Sequence, residues 1–372
     1  MTALEFVRGM GAGWNLGNTF DAYRDNEAIP EPDMEICWHG VRTTDELIHA
    51  IRDRGFRTIR IPVSWHNHID PDGSINSVWM DRVRHVTDCA YREGLYVILN
   101  SHHDISAALY DLLPEHREKS VGNIARLWSN IAEEFEGYGE RLIFEVMNEP
   151  RLVGGPYEWN FDPNERECLE AMDVLNALSQ AALDAIRANG GNNAERYVMV
   201  PSYAAKPMAA AHDSFRLPRD SAHDKLILSA HAYEPYPFAL MPDGETAFTP
   251  QGENVINDTL DTVYGAFVKK RIPAVFGEFG CVDRHNEEDR IRCVAFYAAG
   301  AAKRGMPCIL WDNSYFDSGD EFFGLIDRVK CRWVHGGIAD AAVKAYRCAY
   351  NDTKGEGGPN GSPSPFCCVT ER

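Results

Sequence analysis

Short runs of apolar and β-branched residues recur along the 372-residue chain, and between them lie longer stretches whose apolar positions return at helical spacing. Eight runs stand out: MGAGWNLGN (10–18), FRTIRIPV (56–63), LYVILNSHH (95–103), RLIFEVMNEP (141–150), RYVMVPSY (196–203), KLILSAHAY (225–233), IPAVFGEFG (272–280) and CILWDNS (308–314). The stretches between them carry helix signals. Thr43 with Glu46 reads as a capping box ahead of LIHAIRDRG, and Ser77 as the cap of WMDRVRHVTDCAYREG, which ends at Gly94. Eight alternations spaced by about 30 to 50 residues predict an α/β fold of parallel strands joined by helical crossovers, and eight strands close a (β/α)8 barrel. An open doubly wound sheet is the alternative, but no phosphate-binding glycine turn opens a helix where that fold requires one. Gly9, Gly11 and Gly13 imitate such a turn, yet Trp14-Asn15-Leu16 continues them as strand.

No internal repeat or interior linker divides the chain. The pattern predicts one barrel domain over 1–352 and a Gly/Pro/Ser-rich tail over 353–372, with Met1 leading almost directly into the first strand. In the tail GEGGPNGSPSP has linker composition, fitting a surface strap or the stub of a linker to another module, and Cys367 adjoins Cys368.

Composition narrows the function more than the fold. Hydrophobic residues are 44% and charged residues 25%, enough for one large core and unlike disordered, collagenous or coiled-coil chains. No run approaches the roughly 18 apolar residues of a membrane span, and no basic-then-apolar leader opens the chain. A net charge of −19 repels nucleic acid and anionic lipid, so the expected partner is neutral or cationic. Ten cysteines, with no zinc-like pair, indicate mainly buried thiols.

The polar residues of interest share one address, the C-terminal ends of the strands, where barrel enzymes place their chemistry. They are Asn18, Arg60, His102 with His103, Asn148 with Glu149, Tyr203, His231 with Tyr233, Glu278, and Trp311 with Asp312. Two of the eight runs end in a glutamate, Glu149 in EVMNEP and Glu278 in VFGEFG, which would face each other across a closed barrel. Paired carboxyl groups are what glycosidic cleavage needs, one protonating the leaving oxygen and one attacking carbon or activating water. Arg60 and Tyr233 are placed to keep Glu278 ionised; Glu149 lacks a comparable cation and is expected to hold a proton. Asn148 offers an amide to a sugar hydroxyl and Trp311 a flat face for a pyranose ring. Taken singly, each of these is as well explained by a solvated loop or by packing. The competing chemistry is a metal-dependent hydrolase built on His66-x-His68 and His102-His103-Asp104, although adjacent histidines on a strand should point to opposite faces.

As strings, GWNLGNTFDA, ELIHAIRDRGFRTIRIPVSW, GLYVILNSHHD, LIFEVMNEPR, GGNNAERYVMVPSYAA, LSAHAYEPYPFA, PAVFGEFG and ILWDNSYFD resemble glycoside hydrolase family 5 of the retaining (β/α)8 clan, from about residue 8 to about 350. The GWNLGNTFDA, MNEPR and HAYEPY variants look most like subfamily 4, endo-β-1,4-glucanases of which many also accept xyloglucan and mixed-linkage glucan. The resemblance implies Glu149 as acid/base and Glu278 as nucleophile. It also implies Arg60, His102, Asn148, His231 and Tyr233 around the sugar at the cleavage point, with Trp311 beneath it. Asn18 and His103 would line the glycone side, with Asp21 and Trp38 as further candidates. One loop departs from the family's E-T-x-W-G, reading Glu35-Ile36-Cys37-Trp38-His39-Gly40.

The expectation is a secreted endo-acting hydrolase of plant cell-wall β-glucan, needing no metal or organic cofactor and working as a monomer, with a carbohydrate-binding or docking module as the candidate for what was once linked to it. Mannan is the rival substrate, a short-oligosaccharide β-glycosidase the rival of the same clan, and a catalytically silent glycan-binding barrel the rival of another class. Trp38, Trp65, Trp159, Tyr236 and Phe316 are candidates to extend a stacking floor along an open cleft.

Overall fold

The computed structural model describes residues 1–25, 29–105, 109–317 and 321–355. Each of the eight runs contains a strand: β1 (Gly13–Asn15), β2 (Thr58–Ile61), β3 (Tyr96–Asn100), β4 (Leu142–Glu145), β5 (Val198–Pro201), β6 (Leu226–His231), β7 (Ala274–Phe279) and β8 (Cys308–Leu310). They pair in parallel and in chain order, and β8 closes on β1 through Gly13 opposite Ile309 and Trp14 opposite Leu310. The closed barrel excludes the open sheet.

Alternation along the strands sorts the residues into two sets. Ile59, Ile61, Val97, Leu99, Leu142, Phe144 and Leu228 turn outward into the shell of helices. Ile98, Ile143, Met199, Ile227, Val275 and Ile309 turn inward as an apolar layer. Two residues further along, the same inward positions read Asn100, Glu145, Ser229 and Gly277, joined by Asn15 and Arg60 from β1 and β2. The barrel is therefore apolar at its floor and polar one layer higher, beneath the mouth where the strands end.

A helix not foreseen in the sequence seals that floor. Met1 does not lead into strand one; α1 (Ala3–Met10) comes first, with Thr2 and Glu5 forming a reciprocal capping box. Its Ala3, Phe6, Val7 and Met10 pack onto the inward apolar layer, Phe6 stacking on Tyr197 at 3.7 Å and meeting Tyr96 edge-on at 5.4 Å.

The shell comprises α2 (Asp45–Arg54), α3 (Ser77–Arg92), α4 (Arg117–Glu134), α5 (Arg166–Ala188), the short α6 (Pro207–Ala210) and α7 (Tyr236–Ala239), then α8 (Pro250–Ala266), α9 (Glu287–Lys303) and α10 (Gly336–Gly355). Two caps move by one residue from their expected places. Thr44, not Thr43, caps α2, because the Thr43 N–H is donated to the buried Glu35 carboxylate at 2.7 Å. Asn76, not Ser77, caps α3, accepting from the N–H groups of Val78 and Trp79. Helix α10 runs to Gly355, into the segment expected to be tail, while Cys367 and Cys368 lie outside the described residues. Cys89, Cys168, Cys281, Cys293, Cys308, Cys331 and Cys348 are free thiols.

Candidate active site

Arg60 is the hub of the polar layer. Being fully buried, its guanidinium needs partners for its donors, and four hydrogen bonds of 2.7–3.0 Å supply them. Nε donates to Glu145 Oε2 at 2.7 Å, Nη1 to Glu278 Oε1 at 2.8 Å and Asn15 Oδ1 at 3.0 Å, and Nη2 to Asn148 Oδ1 at 2.7 Å. Glu145, which the sequence reading passed over, is the third carboxylate of the site. It is fully buried and also accepts hydrogen bonds from Asn100 Nδ2 at 3.0 Å and from Ser229 Oγ. Burial opposes its ionisation, but Arg60, His231 and the Ser229 bond outweigh burial and hold the carboxyl down near 2.

Above this layer sit the two glutamates marked by the motifs. Glu278 belongs to β7; Glu149 lies four residues beyond Glu145, the last residue of β4. Tyr233 donates to Glu278 Oε2 at 2.8 Å, as expected beside Arg60. Contrary to expectation, Glu149 has a cation: His231 Nδ1 is 2.9 Å from Glu149 Oε1, with Glu278 Oε1 at 3.7 Å and, through Nε2, Glu145 Oε1 at 3.8 Å. Glu149, His231 and Glu278 each bring a polar atom within 4.8 Å of the others. Breaks in ladder register at Ala230/His231 and at Phe276/Phe279 turn these ends of β6 and β7 toward the mouth. Gly277 leaves room for the imidazole, since a Cβ there would lie 2.8 Å from His231 Nε2.

The electrostatics of this cluster are shared. Burial lowers the affinity of His231 for its proton, yet the three carboxylates around it win and raise it to about 9. Burial pushes Glu149 up and is outweighed by the bond and charge of His231, so its carboxyl falls below the usual range. Burial pushes Glu278 up against the pull of His231 and Arg60, and the Glu149 charge adds to the rise. These shifts favour a proton on His231, one hydrogen bond from Glu149. Transfer across that bond neutralises both partners, removing the imidazolium that lowers Glu278 together with the Glu149 charge that raises it, and leaves Arg60 and Tyr233 as the groups that favour the Glu278 carboxylate.

Most other predicted residues surround this pair. Arg60 fixes Asn148 by its oxygen, leaving the amide donors for a ligand. His102 is buried, its Nδ1 3.1 Å from Asn100 Nδ2, and burial with its neighbour His103 keeps it neutral. Since Nδ1 accepts that bond, Nε2 carries the hydrogen. Trp311 lies parallel to the His102 ring, 7° apart with centroids at 6.0 Å; Gly17 makes this possible, because a Cβ there would meet the indole at 2.7 Å. On the β1–β3 side His103 lies 5.7 Å from the Trp38 ring and 5.6 Å from Tyr23, its Nε2 3.9 Å from Asp21. Asp21 is buried and raised to about 7 by burial; it accepts the N–H groups of Asn18 and Thr19, and Asn18 itself sits at φ 57°. Its role is to shape the loop that carries Asn18.

Several candidates fall elsewhere. The Tyr203 hydroxyl bonds Leu152 N–H and the Tyr157 carbonyl, and Asp312 accepts Trp14 Nε1 and Arg328; both are framework. Trp65 is core, donating to the Asn100 carbonyl. Trp159 and Tyr236 are about half exposed, Phe316 packs near His335, and Trp38 donates to the Tyr23 carbonyl at the mouth. The departing loop is anchored by Glu35, which Arg82 holds at 2.7 and 2.9 Å. The proposed metal histidines disperse: His66 bonds Asp104 and Asp25, while His68 bonds Glu31 and stacks on Trp79. His102 and His103 lie beyond the end of β3 and do not alternate; their rings meet at 4.5 Å and come within reach of Asp21.

In sequence and fold the chain is similar to known cellulases and endoglucanases. The family model described as cellulase (glycosyl hydrolase family 5) matches residues 22–317. Endoglucanase A of Clostridium longisporum is 38% identical over 93% of the chain, which spans 66% of that protein's length. A lichenase of the same family from Caldicellulosiruptor sp. F32 superposes with a TM-score of 0.91 at 41% identity, covering 93% of this chain and 95% of that one. A broad-specificity endoglucanase from Ruminococcus champanellensis with bound cellotriose gives a TM-score of 0.86 at 36% identity, covering 92% and 98%.

Proposed function

The chain belongs to glycosyl hydrolase family 5 and is a glycoside hydrolase of the endoglucanase type, and on that premise we propose that Glu278 is its nucleophile and Glu149 its acid/base in a retaining double displacement. One observation carries the stereochemical reading: polar atoms of Glu149 and Glu278 lie within 4.8 Å. That spacing suits the roughly 5–5.5 Å of retaining pairs and leaves no room for the water that inverting pairs hold at about 6.5–9.5 Å.

In the first step a Glu278 oxygen forms a bond to the anomeric carbon while the bond to the departing oxygen breaks and Glu149 gives that oxygen its proton. In the second, Glu149 takes a proton from water, whose oxygen displaces Glu278 and restores the original configuration. Arg60 and Tyr233 stabilise the leaving carboxylate, and His231, hydrogen-bonded to Glu149 at 2.9 Å, shares one proton with it, handing it over before the first step and taking it back after water has reprotonated Glu149 in the second. Asn148, His102 and Trp311 orient the reacting sugar, with Asn18 and His103 toward the glycone. The substrate is a β-1,4-linked glucan, with mixed-linkage and xylosylated glucans accepted. A polymer cannot enter a cell, so this reading puts the enzyme outside the cytoplasm.

Two variants test the roles. Glu278→Ala is expected to abolish turnover of barley β-glucan while the fold is retained. Glu149→Ala is expected to lose activity on polysaccharide far more than on an aryl cellobioside, whose leaving group needs little protonation. Wild-type rates in the first variant, or equal losses on both substrates in the second, would overturn the assignment.

A further inference from the structure

Past the last rungs of the ladder between β1 and β8, Arg328 carries the seam of the barrel up to the mouth. It stands in the turn between two short antiparallel strands, β9 (Ile326–Asp327) and β10 (Arg332–Trp333), and is buried. Its Nη1 donates to the Gly17 carbonyl at 2.9 Å and to Thr19 Oγ1 at 2.7 Å, both in the loop after β1. Its Nη2 donates to the Asp312 carbonyl at 2.7 Å and to Asp312 Oδ1 at 3.3 Å, in the loop after β8. A main-chain bond from Gly17 N–H to the same Asp312 carbonyl, at 3.1 Å, lies beside this fork. Nε is buried without a hydrogen-bond partner among the described residues. Buried charges ordinarily take a carboxylate at close range, yet the three short bonds here go to neutral oxygens, two of them main-chain. The guanidinium therefore fixes backbone more than it neutralises charge. The loops so joined bear two of the residues assigned to the sugar. Asn18 lies between the two Nη1 acceptors, at φ 57°, and Trp311 directly precedes Asp312. The Trp311 ring also rests on Gly17, where a Cβ would meet it at 2.7 Å. Through Arg328 the indole is thus held at both ends, its backbone by way of Asp312 and its ring by way of Gly17. Ser314 sits at φ 64° with its N–H on Asp312 Oδ1 at 2.9 Å, and left-handed backbone at residues other than glycine persists only where the surroundings over-determine it.

We propose that Arg328 is a positioning residue for glycoside cleavage: by locking the loops after β1 and β8 together it sets the plane of Trp311 beneath the reacting sugar and the place of Asn18 beside the glycone. The inference rests on the functional reading above, which puts Trp311 and Asn18 against the substrate. Among the described residues Arg328 has no hydrogen bond or ion pair with Glu149, Glu278 or His231, so it acts through the two loops and not on the reacting carboxyl groups. Lysine is a poor substitute, since one ammonium must stand where two nitrogens of a rigid fork hold four oxygens. An error of about 1 Å in a group that orients substrate costs up to about a hundredfold in rate.

The test is kcat and kcat/KM on an aryl cellobioside across pH for wild type, Arg328→Lys, Trp311→Ala and the double variant, with circular dichroism and a melting temperature for each. Arg328→Lys is expected to be folded at the assay temperature and to lower kcat and kcat/KM by the same factor, about tenfold, with both pH limbs in place. In the Trp311→Ala background the same change is expected to cost less than about twofold, because the main group it positions is gone. A folded Arg328→Lys protein with wild-type kcat, a displaced pH limb, or losses that multiply in full in the double variant would overturn the positioning role while leaving the hydrolase reading intact. Should the lysine variant fail to fold, Thr19→Val decides, since it removes one acceptor of the fork and leaves the Gly17 bond in place. That variant is expected to lose about fivefold in kcat, the worth of one hydrogen bond, and an unchanged kcat would equally overturn the role. Failure of the wild-type protein to cleave any β-glucan would instead overturn the functional reading.

Discussion

Glu145→Gln is the most informative perturbation of the polar layer, because it changes a charge and almost no volume. An amide turned with its oxygen toward Arg60 Nε and Asn100 Nδ2 still accepts both bonds, and its nitrogen can donate to Ser229 Oγ. What disappears is the negative charge 3.8 Å from His231 Nε2. At about 4 Å and an effective dielectric of about 20, a unit charge is worth about 4 kcal/mol, or about three units of pKa. His231, raised to about 9 by the carboxylates around it, therefore falls toward about 6 in the variant. Because the proton that Glu149 donates is shared with His231, the alkaline limb of kcat/KM on an aryl cellobioside should move down by about two to three pH units. The sign for stability is fixed by the same shifts. The raised His231 contributes stability that is fully present below its ordinary 6.5 and lost as pH rises to about 9. The lowered Glu145 contributes stability present above its ordinary 4.5 and lost as pH falls toward 2. Both windows should flatten in the variant, with a loss of about 3 kcal/mol near neutrality for an Arg60 left with one carboxylate. An alkaline limb that stays near that of the wild type, measured alongside urea unfolding at several pH values, would refute the account of His231 as a proton donor poised by Glu145.

Two further outcomes follow from close packing. Gly277→Ala would place a methyl group 2.8 Å from His231 Nε2, so activity should fall at least tenfold through displacement of the imidazole from Glu149, with a near-wild-type melting temperature; full activity would contradict the tight seat. Phe6→Ala should cost about 3–5 kcal/mol in chemical denaturation by opening a cavity between α1 and Tyr197, with kcat/KM intact because the floor lies away from the mouth; a loss below about 1 kcal/mol would mean α1 is not a structural plug.

The residues that were legible in the sequence share a physical property: their signal is local. Apolar runs such as LYVILN and KLILSA must be buried wherever they lie, so eight strands separated by helices could be counted from the chain alone. Glu149 and Glu278 stood out because a charged residue at the end of such a run needs a reason to be there. The pairing of Arg60 with Glu278 followed from closing the barrel in order. Glu145 did not stand out, because a glutamate within FEVMNE looks like one more strand position until the inward layer above Ile143 is known to be polar. The cap at Thr44 was missed because Glu35, from a separate loop, takes the N–H of Thr43.

The chain by itself determined the fold, through the spacing of its apolar runs, and singled out Glu149 and Glu278 as the candidate pair, through the motifs that surround them. Only the tertiary structure decided which of the many polar residues act together. His231 is a partner of Glu149, Asp312 is framework and Trp65 is core, because each answer depends on which neighbour from a distant strand arrives within hydrogen-bonding distance. Apolar burial is a property each residue brings with it, whereas the charge state of a buried group is set by its neighbours, and those are brought together only when the barrel closes.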